Sequence, residues 1–425
     1  MIEIIEDYEP FLKRLRERAG SDNEAHAKTV REIVQNVALH GDAALFSYTK
    51  QFDHWDIHPG NLKFTRDELR EAYETLDPHL KEILLLAKER ICRFQRRELQ
   101  NSWFMTEPGG GFLGTRVQPL ERVGLYAPGG RAAYPSSVLM NALPAVVAGV
   151  KEILLATPLP EGKPNGTVLG AAYAAGVSEV YKIGGAQAIA AMAYGTESVP
   201  KVDKIVGPGN IYVALAKKEV FGLAGIDSIA GPSEILIIAD HSARPNFVAA
   251  DLLSQAEHDP LASGILITDS KELAESARKE IERLFSLLSR KEILRSSLQK
   301  YCGILLVKDI EEAVEIANRI APEHLELAVA DPFSLLPHIR NAGAIFLGHY
   351  TPEALGDYLA GSNHVLPTNG TARFFSPLSA QDFLKRTSVI SFPEAAFRSL
   401  AEKVEAFAEE EGLDGHARSV RERLL

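Results

Sequence analysis

A glutamate and a histidine stand side by side, Glu323-His324, at the head of an apolar run read as a strand over 324–330. An adjacent carboxylate and imidazole at a sheet end can act as an acid–base pair. Imidazole titrates near neutrality and can take a proton from an alcohol or from water. Taken alone, the two residues also fit an ordinary polar pair at a strand edge. In SQAEHDP, Gln255 and His258 are three apart on a predicted helix, so they share a face and can point at one metal. Asp357 in LGDY, His364 in SNHVLPT and His416 in EGLDGHARS add further oxygen and nitrogen donors. An amide oxygen, a carboxylate and imidazoles suit zinc or another borderline divalent ion. The intervals between these motifs are long, so only the fold can assemble them, and each histidine singly also fits a structural role. Ser233 in AGPSE follows Gly231-Pro232 at a strand start, where a serine closes a turn or contacts a ligand.

Three glycine-rich turns each follow a predicted strand: Gly129-Gly130 after 122–127, Gly184-Gly185 after 179–183, and Gly207-Pro208-Gly209-Asn210 after 202–206. Open α/β sheets bind ligands at the carboxyl ends of their strands. Bare backbone N–H groups opening a helix there suit a pyrophosphate. One such turn is an ordinary connection; three in one block point to a nucleotide. Gly109, Gly111 and Gly114 also satisfy G-x-G-x-x-G. No strand is expected before them and no helix after, so the dinucleotide fingerprint lacks its context and a hairpin turn is expected.

Around these residues, alternating strand and helix patterns run from about 115 to 348. Strands are expected at 122–127, 152–157, 179–185, 202–209 and 234–240, which closes a first block. A second block follows with strands at 264–269, 303–309, 324–330 and 343–348. Such alternation argues for parallel sheets with helices on both faces, here two doubly wound units. The first ~100 residues show apolar spacing of three and four, hence helices, with Gly41 as a C-cap. The chain after ~376 also reads as helical and carries little core of its own.

Composition excludes several classes. The 425 residues are 46% apolar and 24% charged, as in soluble globular proteins, so the chain is not largely disordered. Lys and Arg number 46 against 57 Asp and Glu, a net charge of −11, which argues against nucleic-acid binding. Two cysteines, Cys92 and Cys302, allow no disulfide framework and fit a reducing cytosol. The N-terminus lacks the apolar core of a signal peptide, and no apolar run reaches the ~18 residues of a membrane span. A cytoplasmic protein without a membrane partner is expected.

Seven blocks, in order over essentially the whole chain, resemble histidinol dehydrogenase. They are LYAPGG (125–130), VGPGNIYVALAKKEVFG (206–222), IAGPSEILIIAD (229–240), LLSQAEHDP (252–260), APEHLEL (321–327), YTPEALGDYLAGSNHVLPTNGTARF (350–374) and EEGLDGHARSV (410–420). The resemblance implies oxidation of L-histidinol to L-histidine through an aldehyde, with two NAD⁺ consumed and one zinc per subunit. It implies Gln255, His258, Asp357 and His416 as zinc ligands and Glu323 with His324 as the catalytic pair. Tyr126, Gln187 and Asn210 match NAD-contact positions, and Ser233, His364 and Glu411 match substrate-contact positions alongside the ligands and His324. The implied assembly is a homodimer in which one subunit's C-terminal tail completes the other's site. The expected fold is two doubly wound, incomplete Rossmann-like domains with helical terminal segments. The expected boundaries are a helical segment 1–24, a first domain of 25–125 with 238–376 bearing the catalytic pair, an NAD-binding domain 126–237, and a tail 377–425.

The chemistry fits these residues. Alcohol to acid is a four-electron change, so two hydrides leave and a water adds between them. A dehydrogenase for another polar alcohol would change Glu411 or His364; both are present. A zinc hydrolase would leave the glycine turns without a role, and a non-enzymatic binding protein would leave the Glu–His pair without one.

Overall fold

The structure is a computed structural model that describes residues 2–18, 23–129 and 134–425. Gly130 of the first glycine turn lies outside the described residues. From the N-terminus the chain runs β1 (Ile4–Ile5), α1 (Glu9–Glu17), α2 (Asn23–Asp53), β2 (Lys63–Phe64), α3 (Arg66–Glu74) and α4 (Pro78–Glu98). There follow β3 (Trp103–Thr106), β4 (Phe112–Pro119), β5 (Arg122–Tyr126), α5 (Pro135–Ala148), β6 (Glu152–Ala156), α6 (Gly166–Ala175), β7 (Glu179–Tyr181) and α7 (Gly185–Tyr194). Next come β8 (Lys204–Val206), α8 (Ile211–Val220), β9 (Gly225–Ile226), β10 (Glu234–Ala239), α9 (Pro245–Ala256), β11 (Ser263–Thr268), α10 (Lys271–Phe285) and α11 (Lys291–Lys300). The chain closes with β12 (Gly303–Leu306), α12 (Ile310–Ile320), β13 (His324–Ala328), α13 (Pro332–Leu335), β14 (Ala344–Leu347), α14 (Glu353–Tyr358), β15 (Leu384–Ser391), α15 (Glu394–Glu410) and α16 (Asp414–Arg421).

Residues 1–98 with 120–383 form one compact unit, and 99–119 with 384–425 a second. The larger unit holds two six-stranded sheets, ordered β1-β12-β11-β10-β13-β14 and β2-β7-β6-β5-β8-β9. Every pair is parallel except β2 with β7. The doubly wound α/β class is thus the observed one. Strand β10, EILIIA, is buried at every position because both faces are covered. Ile235 and Ile237 pack with Leu252 and Leu273 of α9 and α10; Leu236 and Ile238 pack with Phe11 and Ile316 of α1 and α12.

Pairing departs from the block reading in informative ways. Strand 234–240 does not close the first block: β10 pairs β11 and β13 in the other sheet. Residues 25–125 were expected with 238–376, yet α2 packs through Val30, Val34 and Leu45 on Ile189 and Ile205. Leu84 and Ile91 of α4 likewise join Leu139 and Leu155. Periodicity identifies an apolar face but not the surface that covers it. The segment 1–24 is not wholly helical, since β1 adds an edge strand through Ile4↔Ile304 and Ile5↔Leu305. At Gly41 the backbone leaves helical geometry (φ 53°, ψ −130°), so α2 is two helices meeting at this residue and the expected helix end is observed there.

In the smaller unit, β15, β4 and β3 form an antiparallel sheet. A strand, β3, does precede the glycines of 109–114, contrary to expectation, and no helix follows. The turn is closed by Glu107 N–H to the Gly111 carbonyl at 2.7 Å, so the hairpin is the observed form. Strand β15 corrects the all-helical reading of the tail. Its run Lys385-Arg386-Thr387-Ser388 is exposed and lacks alternating apolar residues, so nothing in it signals a strand. Helices α15 and α16 follow, tied by Arg421 to Glu405 and Glu409. Among the described residues no helix is long and apolar enough to cross a membrane.

Candidate active site

The Glu323-His324 pair is delivered by a break in the chain. Helix α12 ends at Ala321, which takes a left-handed conformation (φ 56°), and Pro322 forbids its continuation. Strand β13 then starts at His324, in register with Ile235 of β10. The backbone of Glu234 holds both side chains. Its N–H donates to Glu323 Oε2 at 2.8 Å, and His324 Nδ1 lies 2.9 Å from its carbonyl oxygen. A carbonyl only accepts, so Nδ1 carries a proton and Nε2 faces the site. Nε2 is buried, with no hydrogen-bond partner among the described residues, and Asp357 Oδ1 lies 3.7 Å away. Glu234 itself is locked by Arg18, whose Nη2 lies 2.5 Å from its carboxylate and 3.0 Å from Asn369 Oδ1.

Charge crowds this end of the sheet. Burial pushes the Glu323 carboxyl up to about 8 against the pull of His324 and the Glu234 N–H. Burial lowers the His324 imidazole, but Glu323, Asp357 and Glu353 overcome it and hold the ring at about 10. Asp357 is held below the usual carboxylate range: burial opposes ionisation, and His324 and His364 outweigh it.

Helix α9 ends beside α14. Gln255 is 1% exposed, and its Oε1 has no partner among the described residues. A buried acceptor left bare calls for a donor or a cation. His258 follows the helix in an exposed position, with Asp357 and His324 among the charges acting on it. His364 sits between Asp357, whose carbonyl is 3.0 Å from Nδ1, and Ser137 of α5, whose hydroxyl is 3.2 Å from Nε2. The larger unit thus gathers Glu323, His324, Gln255, His258, Asp357 and His364 at one end of β10 and β13. Ser233 precedes Glu234 there and gives its carbonyl to Ser263 N–H. Glu411 and His416 belong to the smaller unit, where both are exposed. The amide, carboxylate and imidazole donors fit a zinc-like cation.

Sequence reading missed the carboxylates behind this set. Ligand atoms of His324, Glu353 and Asp357 lie within 4.8 Å of one another. Glu326, on the same face of β13 as His324, accepts the Glu353 N–H at 2.8 Å. Burial raises Glu353 to about 7 and Asp251 to about 6. One signal was present: Glu326 is the only charged residue inside the apolar run 325–329.

The other sheet offers a second locus. Strands β5 and β8 are neighbours, and the chain leaves β5 toward β6 but β8 toward β9, so the connections diverge and a crevice opens at their carboxyl ends. Tyr126 ends β5; its buried hydroxyl accepts Gly185 N–H at 3.1 Å, and burial pushes its pKa up to about 12. Gln187 is buried in the first turn of α7. Asn210 caps α8, accepting from Tyr212 and Val213 N–H at 3.1 and 3.2 Å, which leaves its Nδ2 outside the cap. Gly207 has φ 118°, and a Cβ there would stand 2.2 Å from the Tyr126 carbonyl oxygen. Its N–H donates to Asp227 and its carbonyl accepts from Lys217, a buried ion pair. Two helices opening after glycine turns fit the phosphates of a dinucleotide.

Comparison with known proteins agrees along the chain. The family model described as histidinol dehydrogenase matches residues 16–424. Histidinol dehydrogenase of Aquifex aeolicus (strain VF5) is 55% identical over 412 residues, 97% of this chain and 96% of its own. That of Lactococcus lactis subsp. lactis (strain IL1403) is 49% identical over 423 residues, 98% of each chain. The crystal structure of histidinol dehydrogenase from Elizabethkingia anophelis superposes with a TM-score of 0.93 at 36% identity, covering 100% of this chain and 98% of that one.

Proposed function

The chain belongs to the histidinol dehydrogenase family, and from that premise we propose that it oxidises L-histidinol to L-histidine through the aldehyde, in histidine biosynthesis. The observation that carries this reading is the pair held by the backbone of one residue: Glu323 on the Glu234 N–H, and His324 on its carbonyl, with Nε2 unpartnered among the described residues. When bound, NAD⁺ supplies the hydride acceptor, two per histidinol, and zinc an anchor for the substrate's amine and imidazole nitrogens.

His324 takes the alcohol proton at Nε2 in the first oxidation, its ring fixed by the Nδ1 contact and kept neutral by a cation that Asp357 would hold, whose charge would oppose the pull of the surrounding carboxylates. Glu323, made more basic by burial, takes a proton from the water that adds to the aldehyde. The resulting hydrate gives up the second hydride. Gln255, His258 and Asp357 hold the zinc, with His416 reaching the site of a second subunit as the fourth ligand. Ser233, His364 and Glu411 contact the substrate; Tyr126, Gln187 and Asn210 contact NAD⁺. The working form is a homodimer in the cytoplasm, and a closed site keeps the aldehyde from escaping.

The test is absorbance at the NADH band after mixing pure protein, NAD⁺ and L-histidinol, with and without a chelator. Two NADH per histidinol, lost on chelation, are expected. One NADH would mean an alcohol dehydrogenase that releases aldehyde, and none with zinc-replete protein would overturn the reading. The cofactor assignment has its own check in Gly207→Ala. The added methyl meets the Tyr126 carbonyl and forces a left-handed backbone. The KM for NAD⁺ is expected to rise more than that for histidinol, with a stability loss of about 1–3 kcal/mol in thermal denaturation. Equal changes in both KM values would count against it.

A further inference from the structure

We propose that Glu353 is a positioning residue: it bolts α9 to α14 and so sets the spacing between Gln255 and His258 on one side and Asp357 on the other. This rests on the zinc reading above. Glu353 is 3% exposed, and none of the roles above uses it. A carboxylate is costly to bury and persists where it is bonded. Its Oε2 lies 3.0 Å from the Ser254 hydroxyl, which it shares with the Asp251 carbonyl at 2.8 Å. Ser254 lies in the last turn of α9, directly before Gln255 and one turn before His258. Asp357 is four residues beyond Glu353 on α14, hence on the same face.

Helix α14 has only six residues, too few to hold a direction by its own hydrogen bonds. Its placement depends on outside grips: His364 holds the Asp357 carbonyl in the last turn, which does not tie the helix to α9. Among the described residues two hydrogen bonds grip the first turn, both through Glu353. The backbone N–H is held by Glu326, two residues past His324 on β13, and the carboxylate is held by Ser254. Removing the side chain leaves the helix start pinned to the strand but frees it from α9. The distance across which Gln255, His258 and Asp357 must close on one ion is then no longer fixed. Groups that orient metal ligands from behind typically cost about 10–100-fold in metal affinity when removed.

The experiment is zinc affinity of the full-length protein, stripped and titrated with zinc against a chromophoric chelator. Wild type, Glu353→Ala, Glu353→Gln and Ser254→Ala are compared. Glu353→Ala is expected to weaken zinc about 10–100-fold. Glu353→Gln restores most of that loss, because its amide oxygen still accepts the Ser254 hydroxyl. Ser254→Ala weakens zinc in the same direction by removing the other half of the bolt. Zinc held as tightly by Glu353→Ala as by wild type overturns the proposal. So does Glu353→Gln as weak as Glu353→Ala, which would make Glu353 itself a ligand. Wild type that takes up no zinc overturns the metal reading and this inference with it, whereas a failure confined to the variants leaves that reading standing.

Discussion

Histidinol turnover is expected to fall by roughly 10²–10⁴-fold in His324→Ala, the range for loss of a positioned general base, while zinc stays bound. The expectation follows from where the ring's two nitrogens lie. Nδ1 is committed to the Glu234 carbonyl at 2.9 Å, a contact that orients the ring. Nε2 is left buried, without a hydrogen-bond partner among the described residues, 3.7 Å from Asp357. Alanine removes the group proposed to take the alcohol proton in the first step. Gln255 and His258 make no hydrogen bond to the imidazole among the described residues, and Asp357, 3.7 Å from Nε2, is still held on α14 through its carbonyl by His364. His324→Gln should be as slow, because an amide can satisfy the Glu234 carbonyl but cannot accept a proton at neutral pH. The measurement is steady-state kcat alongside zinc content of the same preparation. Unchanged turnover would refute the base assignment; zinc lost together with turnover would place His324 among the ligands.

The largest stability effect is expected at Arg18, which is not among the residues proposed to touch substrate. Its side chain is 0% exposed and pairs at 2.5 Å with Glu234, whose side chain is 8% exposed. Breaking a buried pair by removing one partner costs about 3–5 kcal/mol, because the other charge is left in a low dielectric. Arg18→Met should show this in urea denaturation, and Arg18→Met with Glu234→Gln should recover much of it. The pH dependence has a definite sign. Burial already raises the Glu234 carboxyl above its ordinary value, and Arg18 is the main group opposing this. Without Arg18 the folded-state pKa rises further, so the folded chain binds a proton that the unfolded chain releases. Stability of the variant is then best at low pH and falls as pH climbs toward that raised pKa. An Arg18→Met penalty that is small and pH-independent would show that the pair contributes little. Glu234's backbone also grips Glu323 and His324, so turnover is expected to fall with stability.

The amino-acid sequence alone determines much of the secondary structure, because that information is local. Uninterrupted apolar runs such as EILIIA mark strands covered on both faces, and glycine turns mark their carboxyl ends. Gln255 with His258, and Glu323 with His324, are legible because each pair is close in the chain. Ser233, Asp357, His364 and His416 stand out in the sequence only singly, and their common role, like the choice of Tyr126, Gln187 and Glu411, comes from the resemblance, since nothing in their spacing links them to either pair. Which sheet a strand joins was decided only by tertiary structure. Strand β10 continues one block's alternation yet pairs in the other sheet, and α2 and α4 pack on a sheet that no periodicity names. Strand β15 was invisible because its exposed polar residues carry no alternation. Arg18 and Glu353 were invisible for a related reason, and Glu326 showed only as a lone charge in an apolar run. A buried charge is defined by its partner, and these partners stand 216, 99 and 27 residues away. Composition and period register which residues avoid water; they carry no record of which distant polar atom a buried carboxylate will meet.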